Sequence, residues 1–321
     1  ADLPDRVDAL AGSQAGALGR DQLRLLGVSR GFVRTQLRAR RWQRPLPRVY
    51  VVFTGPMPFL TRVWAALLYA GEGSAASHET AAFLARLADV PPDVVDVTVP
   101  HGHRVAARPG VRIRQSRRLA DKVHPARLPP QTRLEETVLD LTDEAATEDP
   151  VIDVVLRGCQ RRLTSPARLA AAQARRKRLR WRRLVIELVA DVRAGVLSAL
   201  ERRYLRDVER AHGLPSGRRN RTEGQPGRRR YRDVRYRRWR LVVELDGQAA
   251  HPEESREEDD LRDNELVERE DTRTLRYGWR SVTTLGCRSA AQVARVLRAG
   301  GWTGQPRRCG PDCAVNDPEI S

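Results

Sequence analysis

LVVELDGQAAHP, residues 241–252, is apolar at Leu241, Val242, Val243 and Leu245, and Glu244 interrupts that run before Asp246 and Gly247. A short apolar run with β-branched residues that stops at a glycine reads as a buried strand. A carboxylate inside such a strand is costly unless it is paired or bound, which makes Glu244 a candidate site residue. Just upstream, YRDVRY (231–236) alternates, and RRWR (237–240) forms a tight connection. The two stretches therefore read as a hairpin. Side chains alternate along a strand, so Asp233 shares a face with Tyr231 and Arg235, and Glu244 with Val242 and Asp246. If the two strands are neighbours, Asp233 and Glu244 can converge on one hard divalent cation, Mg²⁺ or Mn²⁺. A water activated by such an ion can attack a phosphodiester while the ion neutralises the developing charge.

The charge pattern favours a polyanionic partner. Among 321 residues the net charge is +18, and 57 of the 59 basic residues are arginine, Lys122 and Lys177 being the exceptions. Residues 30–48 carry seven arginines and no acid, and residues 157–183 carry eleven basic groups and no acid. Residues 201–240 hold fifteen arginines against five acids, and residues 244–271 hold thirteen acids against three arginines. Asp233 and Glu244 thus stand at a seam between a basic and an acidic block. A metal acting on a phosphate backbone suits such a seam, and so does simple salt-bridged packing. Clustered arginine points to nucleic acid, here DNA. Aromatic residues make up only 5% of the chain, so no stacking platform for RNA is evident.

The first fifty residues read as short helices and a hairpin. Gly27 breaks one helix and Ser29 caps the next. In that second helix Arg30, Arg34 and Arg38 fall on one face, with Val33 and Leu37 on another. An arginine stripe beside an apolar edge fits a recognition helix in a major groove, with Arg41 just beyond it. Pro45 and Pro47 mark a turn into a strand at 49–53. Further on, 59–70 and 77–88 read as helices, the second with Ser77 as its N-cap, and 93–100 and 110–116 read as strands. Residues 132–145 and 198–214 read as helices. His78, the second residue of a capped helix with no nucleophile near it in sequence, reads as structural.

Cys159 and Cys287 are isolated, and Cys309 and Cys313 lie in a Pro/Gly-rich tail without a neighbouring histidine. This spacing suggests neither a disulfide framework nor a zinc site. The longest apolar run, residues 63–71, is too short to span a bilayer. No secretory leader is read in residues 1–30, which Asp2, Asp5, Arg6, Asp8 and Arg20 interrupt. A cytoplasmic location without membrane association is expected.

Two resemblances refine this picture. Arg38, Arg41, Trp42, Arg48, Val49 and Tyr50 resemble the N-terminal winged helix-turn-helix of AbiEi-type antitoxins, and SHETAAFLARL and TRLEETVLDL look like segments of the same architecture. The ordered set Glu201, Asp233, Glu244-Leu245-Asp246-Gly247, His251, Asp260-Leu261-Arg262-Asp263-Asn264 and Arg273-Thr274-Leu275-Arg276-Tyr277-Gly278-Trp279 resembles endonucleases related to the very-short-patch repair (Vsr) enzymes of the PD-(D/E)XK superfamily. That resemblance spans roughly residues 195–302. It implies a metal ligand at Asp233, assistance from Glu201, and a site completed by Glu244, Asp246 and His251. It departs from the superfamily in lacking the usual lysine, since Asp246 occupies that position. Glu270 and Asp271 stand where relatives often have a glycine turn.

Each of these residues also has a plainer reading. Glu201 with Ser198 forms a capping box, and Asp233 sits among arginines. Asp246-Gly247 can turn the chain. His251 reads as a general base near neutrality or as a helix-leading residue before Pro252. Asp260, Arg262 and Asp263 read as helix-face salt bridges. The expected fold is a multi-domain α/β chain: a winged helix-turn-helix (1–55), an antitoxin-like α+β middle (56–190), a Vsr-like endonuclease domain with a mixed central sheet (191–303) and a disordered tail (304–321). The expected function is Mg²⁺-dependent (or Mn²⁺-dependent) hydrolysis of DNA, with a homodimer and a toxin partner both left open. A repressor or antitoxin with a degenerate nuclease fold is the alternative.

Overall fold

The computed structural model describes residues 3–193, 195–196, 198–219, 232–246 and 272–316. Among these lie thirteen α-helices and three sheets, in an α/β arrangement. The chain divides into two compact units, Ala1–Val154 with Arg161–Arg182, and Val155–Gln160 with Arg183–Ser321. The division expected at residue 55 therefore falls inside the first unit.

The first unit begins α1 (Leu3–Ser13), β1 (Ala17–Gly19), α2 (Arg20–Leu25), α3 (Arg30–Arg38), β2 (Gln43–Leu46) and β3 (Val49–Val51). Its three strands are antiparallel in the order β1-β3-β2. Ser29 caps α3 by accepting from the Phe32 N–H at 3.1 Å. The β2–β3 turn is tight, with Arg48 at φ +65°, and the Arg48 guanidinium reaches back to both oxygens of Asp21 on α2. The third strand is shorter than its alternation suggested, ending at Val51.

Helix α4 (Phe59–Ala70) explains why this segment shares a unit with the next sheet. Ala65 packs with Ala17, Val49 and Val51 of the first sheet. Val63, Ala66, Leu67 and Ala70 pack with Ala76, Val95, Val97 and Val99 of a second. That second sheet has the order β4 (Ala75–Ala76), β5 (Val95–Pro100), β6 (Val111–Ser116), the last two parallel. A helix with small residues on one side and branched aliphatics on another can serve two sheets. The unit is completed by α5 (His78–Leu84), α6 (Leu119–Lys122), α7 (Leu134–Glu144), the first half of α8 (Glu148–Gln160), as far as Val154, and α9 (Pro166–Arg175). Ser77 occupies the N-cap position of α5 without capping it. Its hydroxyl instead accepts from Thr98 Oγ1 at 2.8 Å and lies 3.0 Å from His78 Nδ1.

The second unit contains α10 (Arg182–Arg193) from Arg183 onward, α11 (Ala199–Arg203), β7 (Arg218–Arg219), β8 (Arg232–Tyr236), β9 (Leu241–Asp246), β10 (Arg273–Gly278), α12 (Trp279–Thr283) and α13 (Gly286–Ala299). Its sheet is mixed, in the order β10-β9-β8-β7, with β10 and β9 parallel and the remaining pairs antiparallel. The expected mixed sheet is thus present. The hairpin β8–β9 turns through a 3-10 segment at Arg237–Trp239 and a left-handed Arg240. Val234, Tyr236, Leu241, Val243 and Leu245 enter the core with Tyr204, Val208, Val293 and Leu297.

Two features differ from the sequence reading. The helix expected over 198–214 is α-helical only to Arg203 and then widens into a π-helical segment, Tyr204–Arg210. There Glu209, 1% exposed, accepts from Tyr236 Oη at 2.5 Å and from the Gly217 N–H at 3.1 Å, and pairs with Arg219 at 2.5 Å. Tyr204 Oη and Tyr236 Oη are 3.0 Å apart. Burial, with Glu209 nearby, raises both phenols well above their ordinary range, so both remain donors. π-Segments often accompany such local demands. The tail also departs from expected disorder as far as Asn316, because Cys313 and Val315 are buried in the same core.

Removing Glu209 leaves the Arg219 side chain, 5% exposed, buried without its counter-charge. Glu209→Ala is expected to cost about 3–5 kcal/mol, and Tyr236→Phe about 1–3 kcal/mol. Urea unfolding of each variant measures both, and an unchanged midpoint for Glu209→Ala would contradict the role given to this network.

Candidate functional site

Strand β9 is flanked on one side by an antiparallel neighbour and on the other by a parallel one. The register pairs Glu244 with Asp233 on β8 and with Arg276 on β10, so positions 233, 244 and 276 form one row across the sheet. Glu244 is 8% exposed. Among the described residues only its Oε2 is bonded, accepting from Arg276 Nε at 2.7 Å. The next row on that face is Arg235, Val242 and Thr274. A cleft of about 420 Å³ opens beside it, lined by Arg235, Arg237, Arg240, Leu241, Val242 and Thr272. An acidic pair of register positions thus adjoins an arginine-lined cleft.

The other sequence-derived candidates are placed unequally. Glu201 is buried in the first turn of α11, where its N–H donates to Ser198 Oγ at 3.1 Å. That helix packs against β9. Asp246 ends β9 opposite Gly278. Gly247, His251, Asp260, Arg262, Asp263, Glu270 and Asp271 lie outside the described residues. Arg30, Arg34, Arg38 and Arg41 are all exposed. Val33 anchors the opposite side of α3 in the core, and Phe32 meets Trp42 edge to face at 5.9 Å.

His78 is held by a charged network in the first unit. Its Nε2 lies 3.6 Å from Glu144 Oε1, and Glu144 also pairs with Arg114. Asp140 is bound by Lys122 at 2.9 Å and by Arg176 at 2.8 Å, and Arg176 also holds Glu136 at 2.7 Å. Two buried aspartates respond in opposite directions. At Asp96 burial dominates and raises the pKa despite Arg114 and Arg112. At Asp140 burial is outweighed by Arg176 and Lys122, which hold it low. Burial lowers His78 to about 4, and the opposing pull of Asp140 and Glu144 does not restore it. The hydroxyl beside the ring, that of Ser77, is fully buried and already bonded to Thr98. The network's geometry ties α5, α7 and the β5–β6 pair together.

Sequence reading missed one constellation entirely. His212, Cys287, Cys309 and Cys313 bring one ligand atom each to within 4.8 Å of one another. Cys287 Sγ and Cys309 Sγ are 3.6 Å apart, and all four cysteines are free thiols. Although Cys309 is exposed, local desolvation and the neighbouring thiols of Cys313 and Cys287 push it up to about 12. At Cys313 burial opposes ionisation, but hydrogen bonds from the backbone at Cys309 and Val315 and from the adjacent thiols bring it down to about 6. The C-x₃-C spacing of Cys309 and Cys313 was the available sequence clue. Its partners stand 97 and 22 residues before Cys309.

A scan against protein-family models and a search of curated proteins find no match to this chain.

His78 yields a pH test. Its folded pKa lies below the ordinary histidine value of 6.5, so the unfolded chain takes up the proton first on acidification. Stability should be unaffected above pH ~6.5 and should fall as pH drops from there toward ~4. His78→Gln should flatten that part of the profile. Thermal melts across this window check it, and an identical slope in the variant would contradict it.

Proposed function

We propose that this chain is a DNA-binding protein whose second unit hydrolyses DNA phosphodiester bonds with a divalent metal, as the resemblance to Vsr-related PD-(D/E)XK endonucleases implies. The observation that carries this is the row of Asp233, Glu244 and Arg276 beside the arginine cleft. The donor set fits Mg²⁺ or Mn²⁺: the acids are hard oxygen ligands, and Glu244 has one carboxylate oxygen unbonded among the described residues. Asp233 and Glu244 would hold the ion, with Glu201 on α11 assisting. The bound ion supplies an activated water and charge neutralisation at the phosphate.

The protein's own groups do the rest. Arg235, Arg237 and Arg240 grip the strand through its phosphates, positioning it without reading sequence. Arg276, half exposed beside Glu244, provides the cation that the missing lysine would otherwise supply. It can turn from Glu244 to an incoming phosphate. Its planar fork suits that task. In this reading the N-terminal order α1-β1-α2-α3-β2-β3, with sheet order β1-β3-β2, is that of a winged helix. Helix α3 is the reader, presenting Arg30, Arg34 and Arg38 with Arg41 just after it. No helix of the described residues is long and apolar enough to cross a membrane.

One observation favours the alternative, a non-catalytic DNA-binding repressor or antitoxin. The Arg276–Glu244 ion pair is complete without metal, as a degenerate site would leave it.

Plasmid incubated with the protein and Mg²⁺ separates the two. Cleavage should fall by about 10²–10³ in Arg276→Ala, as for loss of a charge-stabilising donor, and should vanish in Asp233→Ala/Glu244→Ala. Cleavage persisting in the double variant would refute the assignment, and absence of cleavage by the wild type would favour the repressor. Independently, Arg30→Ala/Arg34→Ala/Arg38→Ala should weaken DNA binding. It should also reduce the slope of log K against log salt by about 2–3. An unchanged slope would remove α3 from the DNA interface.

A further inference from the structure

We propose that His212, Cys287, Cys309 and Cys313 form a structural zinc site that fastens the C-terminal segment to the second unit. The four groups come from three separate places: the turn after the π-helical segment, the first turn of α13, and the tail. Their ligand atoms are close enough to share a single ion. Tetrahedral Zn²⁺ with Zn–S bonds of about 2.3 Å sets sulfurs about 3.8 Å apart, close to the 3.6 Å between Cys287 and Cys309. Cys309-Gly310-Pro311-Asp312-Cys313 has the short ligand spacing common in zinc sites. Its turn is closed by the Cys313 N–H donating to the Gly310 carbonyl at 3.3 Å.

The histidine supplies an independent observation. His212 is 1% exposed, and its Nδ1 lies 3.1 Å from the Val208 carbonyl. A carbonyl can only accept, so Nδ1 carries the proton. The lone pair is then on Nε2, which is buried without a hydrogen-bond partner among the described residues. Buried polar atoms are rarely left so. A backbone carbonyl on the far nitrogen is also how metal-binding histidines are commonly oriented. Three soft sulfurs and an imidazole select zinc over the hard cation invoked at Glu244. Four protein ligands leave no open position, so the role is structural rather than catalytic.

The surroundings are built for such a clasp. Arg307 donates to the carbonyls of Arg210 at 2.7 Å and Ala211 at 3.3 Å, and its N–H donates to the His212 carbonyl at 2.9 Å. Cys309 is exposed and Cys287 half-buried, which gives an ion a route in. The site shares no residue with the proposed nuclease centre, so either can fail alone.

The test uses the full chain purified under reducing conditions without added metal. Elemental analysis should find one zinc per chain, lost in Cys309→Ser/Cys313→Ser and retained in Cys159→Ala. Because the double variant can fail to fold, wild-type protein stripped of metal should also be titrated with Co²⁺. The absorption of tetrahedral thiolate-bound cobalt should appear, saturate at one equivalent and vanish on adding Zn²⁺. His212→Ala should weaken or abolish it. Zinc-free protein that gives no tetrahedral cobalt spectrum would overturn the proposal, as would a Cys287–Cys309 disulfide in metal-free protein with no metal uptake after reduction.

Discussion

A carboxylate buried in the middle strand of a sheet needs a counter-charge, and strand order decides which one Glu244 meets. Because β9 runs antiparallel to β8 and parallel to β10, Glu244 faces an acid position on one side and an arginine on the other. Val243 and Leu245 are committed to the core, so the strand cannot slip by one residue without turning Glu244 into that core and Val243 and Leu245 out of it. The core therefore holds the row in register. The row in turn places the Arg276–Glu244 ion pair beside the arginines of the β8–β9 hairpin.

The same logic of buried charge recurs through the molecule. Glu209 is held by Arg219, Tyr236 and the Gly217 N–H beneath the same sheet. In the first unit, Arg176 joins Glu136 and Asp140. A chain with 59 basic and 41 acidic residues can match nearly every buried acid with an arginine and still have many left at the surface. The exposed stripe on α3 belongs to that surplus. An arginine paired inside contributes to the fold, whereas one left outside is available to phosphate.

Much of the second unit's sheet was legible because strands announce themselves through alternation: YRDVRY and LVVELD appear as β8 and β9 with the hairpin between them. Ser29 and Ser198 were legible as caps, because a hydroxyl before a helical run has a local partner three residues on. What escaped notice depended on distance in sequence. No local pattern links His212 to Cys313, and only the return of the tail onto the end of the π-helical segment brings them together. The tail's own composition, rich in proline and glycine, suggested disorder. Its order comes from Cys313 and Val315 packing against residues far upstream. Ser77 misled for the converse reason. It stands at an N-cap position, yet Thr98 on a distant strand takes its hydroxyl.

In the proposed nuclease, the row through Glu244 would hold a divalent ion against DNA. The most direct measurement is anomalous scattering from crystals of the full chain soaked in Mn²⁺. A single peak bound by the Glu244 carboxylate and shared with position 233, with Arg276 withdrawn from Oε2, is the expected result. Crystals that show no manganese at this row, with the Arg276–Glu244 pair intact at saturating metal, would rule out the proposed metal site and favour the non-catalytic alternative.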